Sequence, residues 1–116
     1  MKHTVSLKLN HVFQRLYRKG TTAASHNLAI YVRRNGRDHN RLGLTVSTKV
    51  GKAVVRNRTR RRLREVYRTN EDKLYPGYDV VIVARVRAAH SKYQVLEKEF
   101  VKLAGKVGLW KKETDG

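Results

Sequence analysis

The chain has 116 residues, of which 40% are hydrophobic, and it carries 27 Lys and Arg against 9 Asp and Glu for a formal charge of +18. That length supports one modest core and excludes a second domain, while the charge makes a phosphate-rich polyanion a better partner than any uncharged substrate. A membrane surface is the competing polyanion, but apolar runs such as Val80–Ala84 are far too short to span a bilayer and the apolar side of the basic helix is too small for insertion.

The first residues, MKHTVSLKLNHVF, hold neither a continuous apolar run nor a small-residue cleavage site, so no secretory leader is expected there. Both ends, about 1–5 and 111–116, are expected to be flexible around a single domain. Leu9 to Lys19 predicts a short helix, with Asn10 as its cap, Val12, Phe13, Leu16 and Tyr17 clustered at helical spacing, and Gly20 as its stop. Small residues follow from Thr21 to Ser25, where the pattern allows an additional short strand near Thr22. LAIYVRR then alternates strictly, sending Leu28, Ile30 and Val32 to one face and Ala29, Tyr31 and Arg33 to the other. Asn35 to Asn40 reads as a hairpin loop, and LGLTVST as a second strand paired with the first.

Between Lys49 and Arg68 nine cations fall in twenty residues against one acid, Glu65. Such a run would ordinarily be a disordered tail. Here Val55, Thr59, Leu63 and Val66 recur at helical spacing, so the charges ride on a helix that fades near Asn70. Pro76 and Gly77 turn the chain into YDVVIVARVR, a nearly all-apolar strand of the kind buried in mid-sheet, with Val80, Ile82 and Ala84 on one face and Val81, Val83 and Arg85 on the other. Ser91 with Gln94 reads as a capping box for a last helix that stacks Tyr93, Leu96, Phe100, Leu103 and Val107. The order predicts an α+β single-domain sandwich with one sheet face covered by helices. The second face, with Ala29, Tyr31, Arg33, Gly43, Thr45, Ser47 and Arg85, is suited to a shallow groove.

A guanidinium is a planar fork that matches phosphate oxygens bidentately, and arginine outnumbers lysine in the basic segment by seven to two. At about 100° per residue, Asn57, Arg60, Arg61, Arg64 and Arg68 point away from the apolar stripe, with Arg56, Arg58 and Arg62 flanking it. A merely solvated face would mix signs for i,i+4 support, and this one does not. Tyr17 and Tyr31 are suited to base stacking, whereas Phe13 is divided between that role and packing. Catalysis by the protein itself lacks its usual parts: the acids are scattered apart from Glu71 and Asp72, the five histidines show no ligand spacing, and VGKAV is no phosphate-cradling loop. The absence of cysteine rules out a thiolate metal site and leaves the compartment open, leaning to the cytosol. A ribosomal or DNA-binding module and an independent nuclease are the readings to weigh against the ribozyme subunit that the resemblance described next implies.

The segment RNRTRRRLRE resembles the signature of the protein subunit of bacterial ribonuclease P. The resemblance covers most of the chain, through the helix with spaced aromatics, LGLTVSTKVGKAVVRNR, PGYDVVIVAR and the last helix. It implies a fold similar to the second domain of ribosomal protein S5, with a left-handed β-α-β crossover around the arginine helix where pattern reasoning would predict a right-handed one. It also implies a cytoplasmic ribonucleoprotein whose RNA is the catalyst and uses Mg2+, with no cofactor bound tightly by the protein, no membrane and no obligate protein partner. The protein would assist removal of the 5′ leader of precursor tRNA. By motif position the set facing the catalytic RNA is Lys49, Lys52, Arg56, Asn57, Arg58, Arg60, Arg61, Arg64 and Arg68. The leader-binding cleft is Phe13, Tyr17, Tyr31 and Arg33, and Tyr17 stands where many members carry phenylalanine.

Overall fold

In the computed structural model, which describes residues 1–111, the chain runs β1 (Thr4–Ser6), α1 (Asn10–Lys19), β2 (Thr21–Ala24), β3 (Leu28–Arg34), β4 (Asn40–Val46), α2 (Ala53–Asn70), β5 (Tyr78–Ala84) and α3 (Tyr93–Lys106). Short 3-10 turns at Thr48–Val50, Glu71–Lys73 and Val86–His90 join the later elements. The strands form one sheet in the order β1-β4-β5-β3-β2. β5 pairs antiparallel with β3 and parallel with β4, so its apolar run lies in the middle as its composition demands.

That position overturns the expected hairpin. β3 and β4 are not paired, because β5 lies between them. Instead of closing a tight turn, the loop between β3 and β4 spans the entry of β5 and is tied to it at both ends. Asn35 donates its backbone N–H to Gly77 O at 2.9 Å, and Asn40 Oδ1 accepts from Tyr78 N–H at 2.7 Å. A strand that is apolar on both faces gains more by taking two neighbours than an edge would allow, and it displaces the local pairing.

The main core lies between one sheet face and the two longer helices. Ile30, Val32, Val80 and Ile82 meet Leu63, Val66 and Tyr67 of α2 and Leu96, Phe100 and Leu103 of α3. The predicted stripe of α2 faces inward, with Leu63 and Val66 fully buried and Val55 half-buried against the core. Thr59 is buried as well, its hydroxyl donating to Val55 O at 2.9 Å. Each such aliphatic side chain contributes about 1.5–3 kcal/mol of burial. On the second face α1 presses Val12 and Leu16 onto Val81, with Phe13, Tyr31 and Val83 packed around them. The expected open groove is therefore partly roofed by a helix, and only its margins remain.

Several local expectations shift. Leu9, not Asn10, occupies the cap position of α1, and Asn10 makes no side-chain capping bond. No capping box forms at α3 either: Lys92 is the cap, and Ser91 Oγ donates to Asn27 Oδ1 at 2.9 Å. Thr4 and Val5, expected in a flexible end, pair in parallel with Asn40 and Arg41. Glu71 secures this end by accepting the backbone N–H groups of Lys2 and His3 at 2.9 and 3.3 Å. At the other end Lys111 donates its N–H to Lys73 O at 2.8 Å, and the rest of the expected flexible tail lies outside the described residues.

Candidate nucleic-acid interface

All nine residues expected to face RNA lie on α2 or in the turn that leads into it. Lys49, Lys52, Asn57, Arg58, Arg61, Arg64 and Arg68 are exposed, and Arg56 and Arg60 are half-buried. Asn57 Oδ1 accepts from Arg60 Nη1 at 3.1 Å and so aims that guanidinium. Arg56 Nε is buried without a partner among the described residues, a donor left open on the helix shoulder. Arg68 forks onto Glu65, and the hydrogen bond from Arg68 holds the Glu65 carboxyl below its ordinary range. Arg62 turns away from the open face and donates to Ser91 O at 3.2 Å, joining α2 to the entry of α3.

The aromatic candidates converge. Phe13 and Tyr17 lie 6.5 Å apart between ring centroids, and Tyr17 meets the edge of Tyr31 at 5.0 Å. Tyr17 is 37% exposed, and its hydroxyl is 3.1 Å from Thr45 Oγ1 on β4. Phe13 resolves its two readings by being half-buried: the tip of its ring abuts Gly43, where a Cβ would stand only 2.4 Å from Phe13 Cζ. A glycine within a strand marks such close approach. Alternation alone places Gly43 on this face but does not reveal what rests on it.

β1 ends at Ser6, opposite Leu42, so the outer edge of β4 beyond that point has no strand beside it. Through this opening Arg60 and Arg64 reach the aromatic side. Together with Phe13, Gly43 and Leu44 they line a hollow of about 200 Å³. Phe13 and two members of the basic set, about fifty residues apart in the sequence, thus share one cavity.

Arg33 lies elsewhere. It lines a separate hollow of about 150 Å³ with Arg15, Arg34, Arg41 and Asp79, alongside Val12 and Leu16. Arg41 is engaged there, its Nε and Nη2 each 2.7 Å from the Asp79 carboxylate, and that hydrogen bonding raises its pKa. Arg15 and Arg34 have no acidic partner among the described residues, and no sequence pattern had connected them with Arg33.

Among the described residues no three His, Asp or Glu side chains converge where a metal ion could sit, and no helix is long and apolar enough to cross a membrane. The family model described as Ribonuclease P matches residues 1–108. The chain is 40% identical over 112 residues, 97% of each chain, to the ribonuclease P protein component of Natranaerobius thermophilus. To that of Clostridioides difficile it is 41% identical over 101 residues, 86% of this chain and 89% of the relative. Its structure is similar to the Staphylococcus aureus RNase P protein, with a TM-score of 0.83 at 29% identity over 91% of this chain and 97% of that one. The RNase P protein of Thermotoga maritima matches with a TM-score of 0.76 at 27% identity, over 84% and 92% of the two chains. With its basic crossover helix and its sheet agreeing with these relatives across nearly the whole length, the chain belongs to the ribonuclease P protein family.

Proposed function

We propose that this chain, as the protein subunit of ribonuclease P in tRNA processing, holds the catalytic RNA on the outer face of α2 and the single-stranded 5′ leader of precursor tRNA against Phe13, Tyr17 and Tyr31. The observation that carries this reading is the shared hollow in which Arg60 and Arg64 meet Phe13 across the free edge of β4. A leader lying there would meet Phe13 and, running on past it, would stack unpaired bases on the neighbouring Tyr17 and Tyr31, worth about 1–3 kcal/mol per base, while its phosphates face the guanidinium groups. Lys49, Lys52, Arg56, Asn57, Arg58, Arg61 and Arg68 would serve the larger RNA, with Arg64 between the two. Arg33, with Arg15 and Arg34, would continue the phosphate path beyond the aromatic trio. The bond-breaking chemistry belongs to the RNA and its Mg2+, and the protein acts by binding and positioning in the bacterial cytoplasm.

The test uses precursor tRNA at low magnesium with the protein alone, a bacterial ribonuclease P RNA alone, and the two mixed. The mixture is expected to cleave faster than the RNA by itself; equal rates would sink the reading, and cleavage by the protein alone would make it a nuclease in its own right. Arg61→Ala and Arg64→Ala should each weaken holoenzyme assembly by about 1.5–3 kcal/mol at moderate salt if the contacts are charge-assisted and dry. Tyr17→Ala and Tyr31→Ala should weaken binding of precursor tRNA more than of mature tRNA. An equal loss for both substrates would remove these tyrosines from the leader site.

A further inference from the structure

A basin of about 610 Å³, larger than the aromatic hollow, lies at the opposite edge of the sheet, where β2 ends. Ser25, His26, Arg85, Arg87, Lys102 and Lys106 line it, and all but Ser25 are exposed. None of the four Arg and Lys side chains forms an ion pair among the described residues. Lys102 and Lys106 stand one helical turn apart on α3, an arrangement that repels in the absence of an anion.

The backbone fixes the rim. Arg85 N–H donates to Asn27 O and Arg85 Nη1 to Ser25 O, both at 2.9 Å or less, which leaves the other guanidinium nitrogens free to donate to a ligand. No acid lines the basin, and Glu99 is engaged behind Ser25. Its carboxylate accepts from Ser25 Oγ, Asn27 Nδ2 and, at 3.0 Å, the Asn27 backbone N–H. It thus ties the wall together and faces His26, but forms no ion pair with Arg85, Arg87, Lys102 or Lys106.

The basin also connects with the arginine helix. The turn Thr48–Val50, which carries Lys49, packs against the turn Val86–His90, which carries Arg87. From Lys52 and Lys49 the positive surface runs past Arg87 and Arg85, around the end of the sheet, to Lys102 and Lys106. The aromatic hollow is at the other edge, beside β4, so this band leads away from the leader site.

We propose that the basin is a second phosphate-binding site, through which Arg85, Arg87, Lys102 and Lys106 grip backbone phosphates of the same catalytic RNA that α2 holds. The proposal rests on the preceding reading of α2 as an RNA-binding face. Concavity matters here because cations on several sides of a hollow can each meet a successive phosphate of one RNA backbone laid into it, whereas a flat face meets the backbone from one side only.

Lys102→Ala/Lys106→Ala is the informative variant, since both side chains are exposed on α3 and alanine preserves the helix. Its charge-matched control is Lys98→Ala/Lys111→Ala, also exposed and outside the basin. Affinity for the ribonuclease P RNA is measured for the full chain across a salt series. The basin variant should lower the steepness of log affinity against log salt by about 1.4–1.8, two phosphates at roughly 0.7–0.9 each, with the control close to wild type. This corresponds to a loss of about 25- to 60-fold at 0.1 M salt that closes towards 1 M. A basin variant with the wild-type slope, or a control that shifts as far, overturns the inference while leaving the α2 reading intact. Failure of the wild-type protein to bind the RNA overturns both. If the variant loses affinity only for precursor tRNA and not for the ribonuclease P RNA, the site belongs to the substrate and the proposal as stated is wrong.

Discussion

Glu99 is one of few acids on a strongly basic surface, and its environment explains its charge state. Burial pushes its carboxyl up, but the hydrogen bonds from Ser25 and Asn27 outweigh that and hold it below the ordinary glutamate range. A depressed pKa in the folded state means stability that is present above the ordinary range and is lost as pH falls through the folded value. Glu99→Gln should therefore cost about 1–3 kcal/mol at neutral pH, with the gap to wild type narrowing in acid. Denaturant unfolding at the two pH values measures this, and an equal cost at both would mean that the carboxylate's charge is not what binds the turn. Sequence spacing could not foresee the contact, because Glu99 and Asn27 lie 72 residues apart. Gly43 is a related case: its alternation was legible, but the ring of Phe13 upon it was not.

At the scale of elements, α2 was the most legible part of the chain. Its inward Thr59, Leu63 and Val66 and its outward arginines follow from a 3.6-residue period, and its fading near Asn70 was legible, whereas its start at Ala53 was not. Tyr67, one turn after Leu63, escaped that reading although it is fully buried. Its ring packs edge-on against Phe100 at 6.1 Å, and its hydroxyl lies 2.9 Å from Thr4 Oγ1 and 3.2 Å from Asn40 Nδ2. Burial raises its pKa, so the hydroxyl stays protonated and bridges β1 to β4 from beneath. Tyr67→Phe keeps the ring but takes one hydrogen bond from each of two buried partners, and should lower stability by about 1–3 kcal/mol. Amide exchange should quicken in Thr4–Ser6 more than in β5. Unchanged exchange in β1 would show that Glu71 alone holds that strand.

For the whole molecule, the +18 charge works against compaction and in favour of anions. Two basic hollows and the arginine helix concentrate the repulsion in the folded state, so an anion bound there stabilises it by mass action, about 2.7 kcal/mol at a hundred times its Kd. Pyrophosphate at low millimolar concentration should raise Tm well beyond sodium chloride of equal ionic strength. Matching curves in the two salts would reduce the effect to screening.

The sequence by itself determined the period of each element but β1, the inward stripe of α2, the apolar character of β5 and the arginine signature that marks the family. Those properties depend on residues two to four positions apart, within reach of backbone geometry. The order of the strands, the roof that α1 puts over the second face, the union of Phe13 with Arg60 and Arg64, and the separation of Arg33 from the aromatic trio were decided only in three dimensions. There the choice rests on which long-range pairings bury most apolar surface and leave fewest backbone groups unpaired, and β5 won the place between β3 and β4 on both counts.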